Sequence, residues 1–189
     1  RARGSTPATR TPEWTRRGIW NRSYSESRVP EVPTMLLELL SHQNFGDMKY
    51  ALEPGFRFTV GRAIYKGILK HIASTHGTEY VVQPLPVESF SCTFAGERRI
   101  RLQWKAVIDT LEPTAVPDSF VVYTRINDEG FDNGRMVAGN TFEMNITAGK
   151  IYSFKVTAVN RGGESFPSEI LSAYKDPLKK ETILIINGF

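Results

Sequence analysis

The 189-residue chain has one cysteine, Cys92, and three histidines. A lone cysteine excludes an internal disulfide framework and any multi-cysteine zinc site. No apolar run approaches the roughly 20 residues that a membrane-spanning helix requires, so no membrane span is expected. Neither common phosphate-cradling glycine loop is present, since Gly4 and Gly18 stand alone. The chain opens on Arg and shows no signal-peptide pattern of basic, apolar and small-residue regions. What is present is an ordinary balance of 40% hydrophobic and 23% charged residues. That balance excludes collagen-like, coiled-coil and wholly disordered chains. At about 150 residues per domain, the length allows one large domain or two small ones.

The net charge of +4 is unevenly spread. Residues 1–28 hold seven Arg and two Glu, whereas the remaining residues carry 17 basic and 18 acidic groups. The basic character therefore belongs to one arm. Trp14, Trp20 and Tyr24 interleave with its arginines, but a nucleic-acid site would spread Lys and Arg over a folded face. We expect a solvated arm and no nucleic-acid partner.

Hydrophobic patterning divides the rest of the chain. Pro30 and Pro33 disfavour helix, so Thr34–Leu40 is predicted as a short buried strand interrupted by one carboxylate, Glu38. The polar cluster Ser41-His42-Gln43-Asn44 should end it and cap a short helix through Tyr50. From Phe56 to Ser74, Val60, Ile64, Ile68 and Ile72 recur every four residues, while Arg62, Lys66 and Lys70 share another face, the pattern of an amphipathic helix. His71 and His76 suit its C-terminal end, and Gly77 supplies a stop. A strand and a helix are too little for a core. We expect residues 1–77 to be the last strand and helix of an α/β domain behind a basic arm.

After Gly77 the period changes to two. Ile100, Leu102 and Trp104 alternate with polar residues, and Tyr152, Phe154, Val156 and Ala158 share one face of Ile151–Val159. Further strands are expected at 86–94, 120–125, 141–146 and 164–174. Short strands at this spacing, separated by Pro, Gly, Asn and Asp, predict an all-β sandwich over residues 78–176. Residues 177–189 read as a linker and the first strand of a further domain, because the run Ile183–Ile186 meets a turn signal.

The β segment resembles a fibronectin type III domain from near Tyr80 to Lys175. Trp104 stands where that family has its core tryptophan. Thr147-Ala-Gly-Lys-Ile-Tyr152 is similar to the approach to its tyrosine corner. Val156–Asn160, Gly162–Ser165 and Pro167–Glu169 match its sixth strand, hairpin and seventh strand. The leading segment resembles the C-terminal end of zinc-dependent N-acetylmuramoyl-L-alanine amidases, in the form found in secreted multidomain proteins of Bacteroidetes-type bacteria, sometimes labelled xanthan lyase-like. Pro33-Thr-Met-Leu-Leu-Glu38, Ser41-His-Gln-Asn44 and the helix after them carry that resemblance.

The amidase resemblance implies a secreted, periplasmic or cell-surface protein that cleaves the amide between glycan and peptide in peptidoglycan. Glu38 would be the general acid/base beside a zinc-bound water, with Ser41, His42 and Asn44 lining the cleft. The zinc ligands would lie upstream of this strand. His42, His71 and His76 take no metal role, and this chain alone is expected to bind no catalytic zinc and to hydrolyse nothing. Ser41-His42 beside Glu38 also lacks the Gly-x-Ser-x-Gly elbow of a serine hydrolase.

Two other functions compete. The chain could be a non-catalytic module for peptidoglycan or another cell-surface glycan, with Phe131 and Phe166 as aromatic platforms. Alternatively, the sandwich is a spacer for other domains of the same protein. Trp104 and Tyr152 are structural on every reading.

Overall fold

The computed structural model describes residues 18–179 and Ile183. Most of the basic arm (residues 1–17) and nearly all of the apolar run near the C-terminus lie outside the described residues. The chain divides into two compact units, 1–65 and 66–189.

In the first unit the helices are set by local chemistry. A single helical turn, α1, spans Ser25–Arg28. The helix α2, Phe45–Ala51, is capped by Asn44, whose Oδ1 accepts from the Gly46 and Asp47 amides at 2.9 and 3.4 Å. The long helix α3, Pro54–His76, starts two residues earlier than the hydrophobic period suggests. The Glu53 carboxylate accepts from the Gly55 and Phe56 amides, and Pro54 suits the first helical position because its missing N–H would have no partner there. The helix ends at Gly77, whose φ of +62° is left-handed. The Thr78 amide then donates back to the Ala73 carbonyl at 2.9 Å, closing a Schellman turn.

The strand expected at Thr34–Leu40 does not form. Residues 34–40 are irregular, and Met35, Leu36, Leu37 and Leu39 are 45–72% exposed. The reason is topological: a buried strand needs a ladder partner on at least one side, and the described residues of the first unit contain no strand. The amidase-like α/β arrangement is therefore not seen, although a helix does precede the sandwich.

The second unit is a β-sandwich. One sheet has the order β1-β2-β5, with β1 at Glu88–Gly96, β2 at Arg99–Lys105 and β5 at Thr141–Asn145. The other has the order β4-β3-β6-β7, with β8 also on β6; these are β3 Ser119–Ile126, β4 Arg135–Val137, β6 Ile151–Asn160, β7 Gly163–Glu164 and β8 Leu171–Tyr174. Both sheets are antiparallel. The period-two faces meet as predicted: Ile100, Leu102 and Trp104 of β2 share a core with Phe154, Val156 and Ala158 of β6. Trp104 lies edge-on to Phe120, ring centroids 5.5 Å apart.

The last expected strand, 164–174, is broken in two. Ser165 and Ser168 put hydroxyls where a ladder would place carbonyls. Ser165 Oγ accepts from the Ala158 amide at 2.9 Å, and Ser168 Oγ from the Val156 amide at 3.0 Å. Pro167 between them has no N–H to donate. Main-chain pairing resumes only at Leu171, opposite Phe154.

Candidate functional site

The residues expected to form a cleft are placed as follows. Glu38 and His42 are exposed. Ser41 and Asn44 serve the turn into α2: the Ser41 amide donates to the buried Asp47 carboxylate at 2.9 Å, and Ser41 Oγ accepts from the Gln43 amide at 3.3 Å. A concavity of about 380 Å³ lies nearby, walled by Leu39, Leu40, Phe56, Val60 and Ile64. It is apolar, and neither Glu38 nor His42 contributes to its wall. Among the described residues no group of three or more His, Cys, Asp or Glu could hold a metal. The residues present do not fit a zinc centre, so no hydrolytic step is assigned to this chain.

A different set of residues is brought together at the entrance to the sandwich. Asn160, at the end of β6, is buried, and its Nδ2 lies within hydrogen-bonding distance of the carbonyls of Val82, Thr114 and Val116 at 2.9, 3.1 and 3.2 Å. Its Oδ1 accepts from the Gly162 amide at 2.8 Å. One side chain thereby ties the strand preceding β1 and the β2–β3 loop to the β6–β7 hairpin. Gly162 permits this closeness, since a Cβ there would overlap the Val81 carbonyl. The Val82 amide donates to Thr114 Oγ1 at 3.1 Å.

The end of α3 joins the same cluster. Glu112, 3% exposed, pairs with Lys66 and Lys70 at 3.6 and 3.3 Å. Lys70 also lies over the Tyr80 ring, 5.2 Å from its centre. Hydrogen bonding to Tyr80 and then to Glu112 raises the Lys70 pKa, against the opposing effect of burial. From Lys66 onward the helix, the connecting segment and the sandwich are thus cross-linked by ion pairs and buried hydrogen bonds. Sequence reasoning missed Asn160 and Glu112 in these roles. The Asn160-Arg-Gly162 spacing carries a local signal for a turn, but nothing local ties Glu112 to lysines some 40 residues away.

The two proposed platforms differ. Phe166 is 62% exposed. Phe131 is half-buried, with the Arg125 guanidinium 5.1 Å and Lys155 Nζ 4.6 Å from its ring centre. The structural assignments hold. Tyr152 Oη accepts from the Thr147 amide at 3.1 Å, the corner expected from the sequence, and that bond lowers the Tyr152 pKa. Cys92 is half-buried, and desolvation pushes its thiol up to about 11.

Comparison with known proteins bears on the second unit. Residues 85–174 match the description of the fibronectin type III domain, and this part of the chain is such a domain. Among solved structures, the chain is similar to the twitchin kinase region from C. elegans, at 17% identity over 53% of this chain and 18% of that one, with a TM-score of 0.45. It is similar to the structure of titin kinase and its flanking domains at 18% identity, covering 48% of this chain and 16% of that one, with a TM-score of 0.42. It is also similar to the FN5 domain of Drosophila Lar at 14% identity, covering 49% and 97% of the two chains, with a TM-score of 0.38. The chain thus spans under a fifth of the twitchin and titin structures. No curated protein matches it. Domains of this type act as spacers or interaction modules, and no helix among the described residues is long and apolar enough to cross a membrane.

Proposed function

We propose that this chain is a non-catalytic spacer and interaction module of a secreted, periplasmic or cell-surface protein, in which the sandwich fixes the distance and direction between what lies on either side of it. The observation that carries this is the Asn160 pin, with Glu112 holding Lys66 and Lys70 beside it. A spacer transmits direction only if its entrance cannot swivel, and here the entrance is closed by buried bonds. At about 3.3 Å per residue, the ten-residue β6 sets a long dimension of about 33 Å. Spin labels at Ser74→Cys and Asp128→Cys, in a Cys92→Ser background, test this. We expect one narrow distance distribution that Asn160→Ala broadens; a broad distribution in the otherwise unaltered chain overturns the proposal.

A second reading is favoured by the leucines flanking Glu38. Apolar side chains on an extended segment without a ladder partner are what a strand looks like apart from its sheet. We propose that residues 30–77 close an N-acetylmuramoyl-L-alanine amidase domain acting on peptidoglycan, with its zinc ligands elsewhere and Glu38 as general acid/base. In the longer protein that this reading requires, Glu38→Gln is expected to lower release of peptide from peptidoglycan at least 100-fold. Unchanged release would refute the role of Glu38.

A further inference from the structure

The outer face of the five-stranded sheet carries a pair of cations with no carboxylate partner among the described residues. Arg125 on β3 and Lys155 on β6 both lie against the ring of Phe131, and Lys155 also sits 5.0 Å from the centre of the Tyr123 ring. Both cations are half-buried. The two neighbouring carboxylates are already occupied. Glu164 Oε1 accepts the hydroxyls of Tyr123 and Thr157, each at 2.6 Å. Asp132 Oδ1 accepts the amides of Thr124 and Gly134, each at 3.0 Å. Neither carboxylate forms an ion pair with Arg125 or Lys155, and the ion pairs seen among the described residues all lie elsewhere.

The guanidinium is also short of acceptors. It has five N–H donors, yet its one hydrogen bond is a long 3.4 Å contact from Nη2 to Ser153 Oγ, and its Nε is buried without a partner. Pairing places Arg125 opposite Ser153 and Ser153 opposite Ser172. The two serine hydroxyls are 2.9 Å apart, extending a polar row across the sheet from the guanidinium. Aromatic faces attract each cation, but a ring supplies no acceptor for a planar N–H fork. Two cations beside one ring, one with an orphaned donor, form a receptor for an oxyanion.

We propose that Arg125 and Lys155 bind a carboxylate, with the guanidinium fork engaging it and Lys155 supplying the second positive charge. The shared ligand chemistry is a carboxylate held beside an aromatic edge, which an acidic peptide or an acidic sugar could present. The test is an NMR titration of the whole chain with N-acetyl-glutamate amide and, separately, with glucuronate, each against sodium chloride at equal ionic strength. We expect saturable shifts at the Arg125 Nε–H and at the Ser153 and Ser172 amides. Arg125→Gln should weaken binding at least tenfold, and Arg125→Lys, which keeps the charge but loses the fork, by a smaller factor. Tighter binding of one compound would identify the peptide or the sugar as the source. Shifts that follow ionic strength alone, or that persist unchanged in a folded Arg125→Gln protein, overturn the proposal.

Discussion

Between residues 18 and 65 the one buried side chain belongs to Asp47, a carboxylate holding a turn, while leucine, methionine, isoleucine and phenylalanine face solvent. From residue 66 onward, Phe154, Ile100, Leu102 and Val156 are completely enclosed. Both regions contain apolar residues at regular spacing, so composition does not separate them. The difference lies in what each face meets. In the sandwich, every period-two face has an opposing sheet at hand within the same chain. In the leading unit, the leucines of 35–40 and the helix stripe Ile64, Ile68 and Ile72 have no layer supplied by the described residues. A hydrophobic pattern specifies a face; it becomes a core only when a second face is present.

That contrast can be broken directly. Phe154→Ala removes an enclosed ring and should cost the sandwich about 3–5 kcal/mol, whereas Leu37→Ala, at 48% exposure, should change stability by less than about 0.5 kcal/mol. Urea unfolding monitored by Trp104 fluorescence compares the two. Equal losses would mean that the leading leucines are packed after all.

A smaller effect sharpens the contrast at the entrance. Asn160→Ala leaves the Val82, Thr114 and Val116 carbonyls without their shared donor. A buried unsatisfied group costs about 1–3 kcal/mol, so we expect a loss of about 2–4 kcal/mol by the same measurement. Asn160→Asp, which cannot donate when ionised, should not rescue it.

The smallest effect is electrostatic and confined to the rim. Glu143 on β5 faces Arg101 and Arg99 of β2, each at 2.6 Å. Its carboxyl is held below the ordinary value of 4.5, chiefly by the Arg101 bond, against some desolvation. A depressed carboxyl stabilises the fold above its unfolded value, and that contribution is lost as pH falls through the lower, folded value. The pair is partly solvated, so the effect is modest. Glu143→Gln should flatten the decline of thermal midpoint below about pH 4.5 and leave the neutral-pH slope unchanged.

How far the fold was legible in the sequence depends on the range of the forces involved. Trp104, Tyr152 and the alternating faces of β2 and β6 are local patterns, and the sheets respect them. The cap at Asn44 and the stop at Gly77 are equally local. The strand at Thr34–Leu40 failed because strand formation depends on a partner that no local window contains. The broken β7–β8 segment turned on Ser165 and Ser168 replacing carbonyls, which alternation cannot reveal. The entrance pin needed Asn160, Thr114 and Val82 to meet across spans of 46 and 78 residues. Glu38 shows the converse: a motif can nominate a carboxylate, but exposure on an irregular segment is decided by the missing neighbour.

Hydrogen exchange across the whole chain, resolved to short peptides, asks the question most plainly. Amides of β3 and β6 should exchange only through global unfolding, and those of 66–76 and 81–87 should share much of that protection because Glu112 and Asn160 tie them to the sandwich. Amides of 30–44 should exchange orders of magnitude faster. Rapid exchange at 81–87 alongside a protected β6 would contradict the rigid entrance, and protection of 30–44 equal to that of β6 would contradict the contrast between the two units.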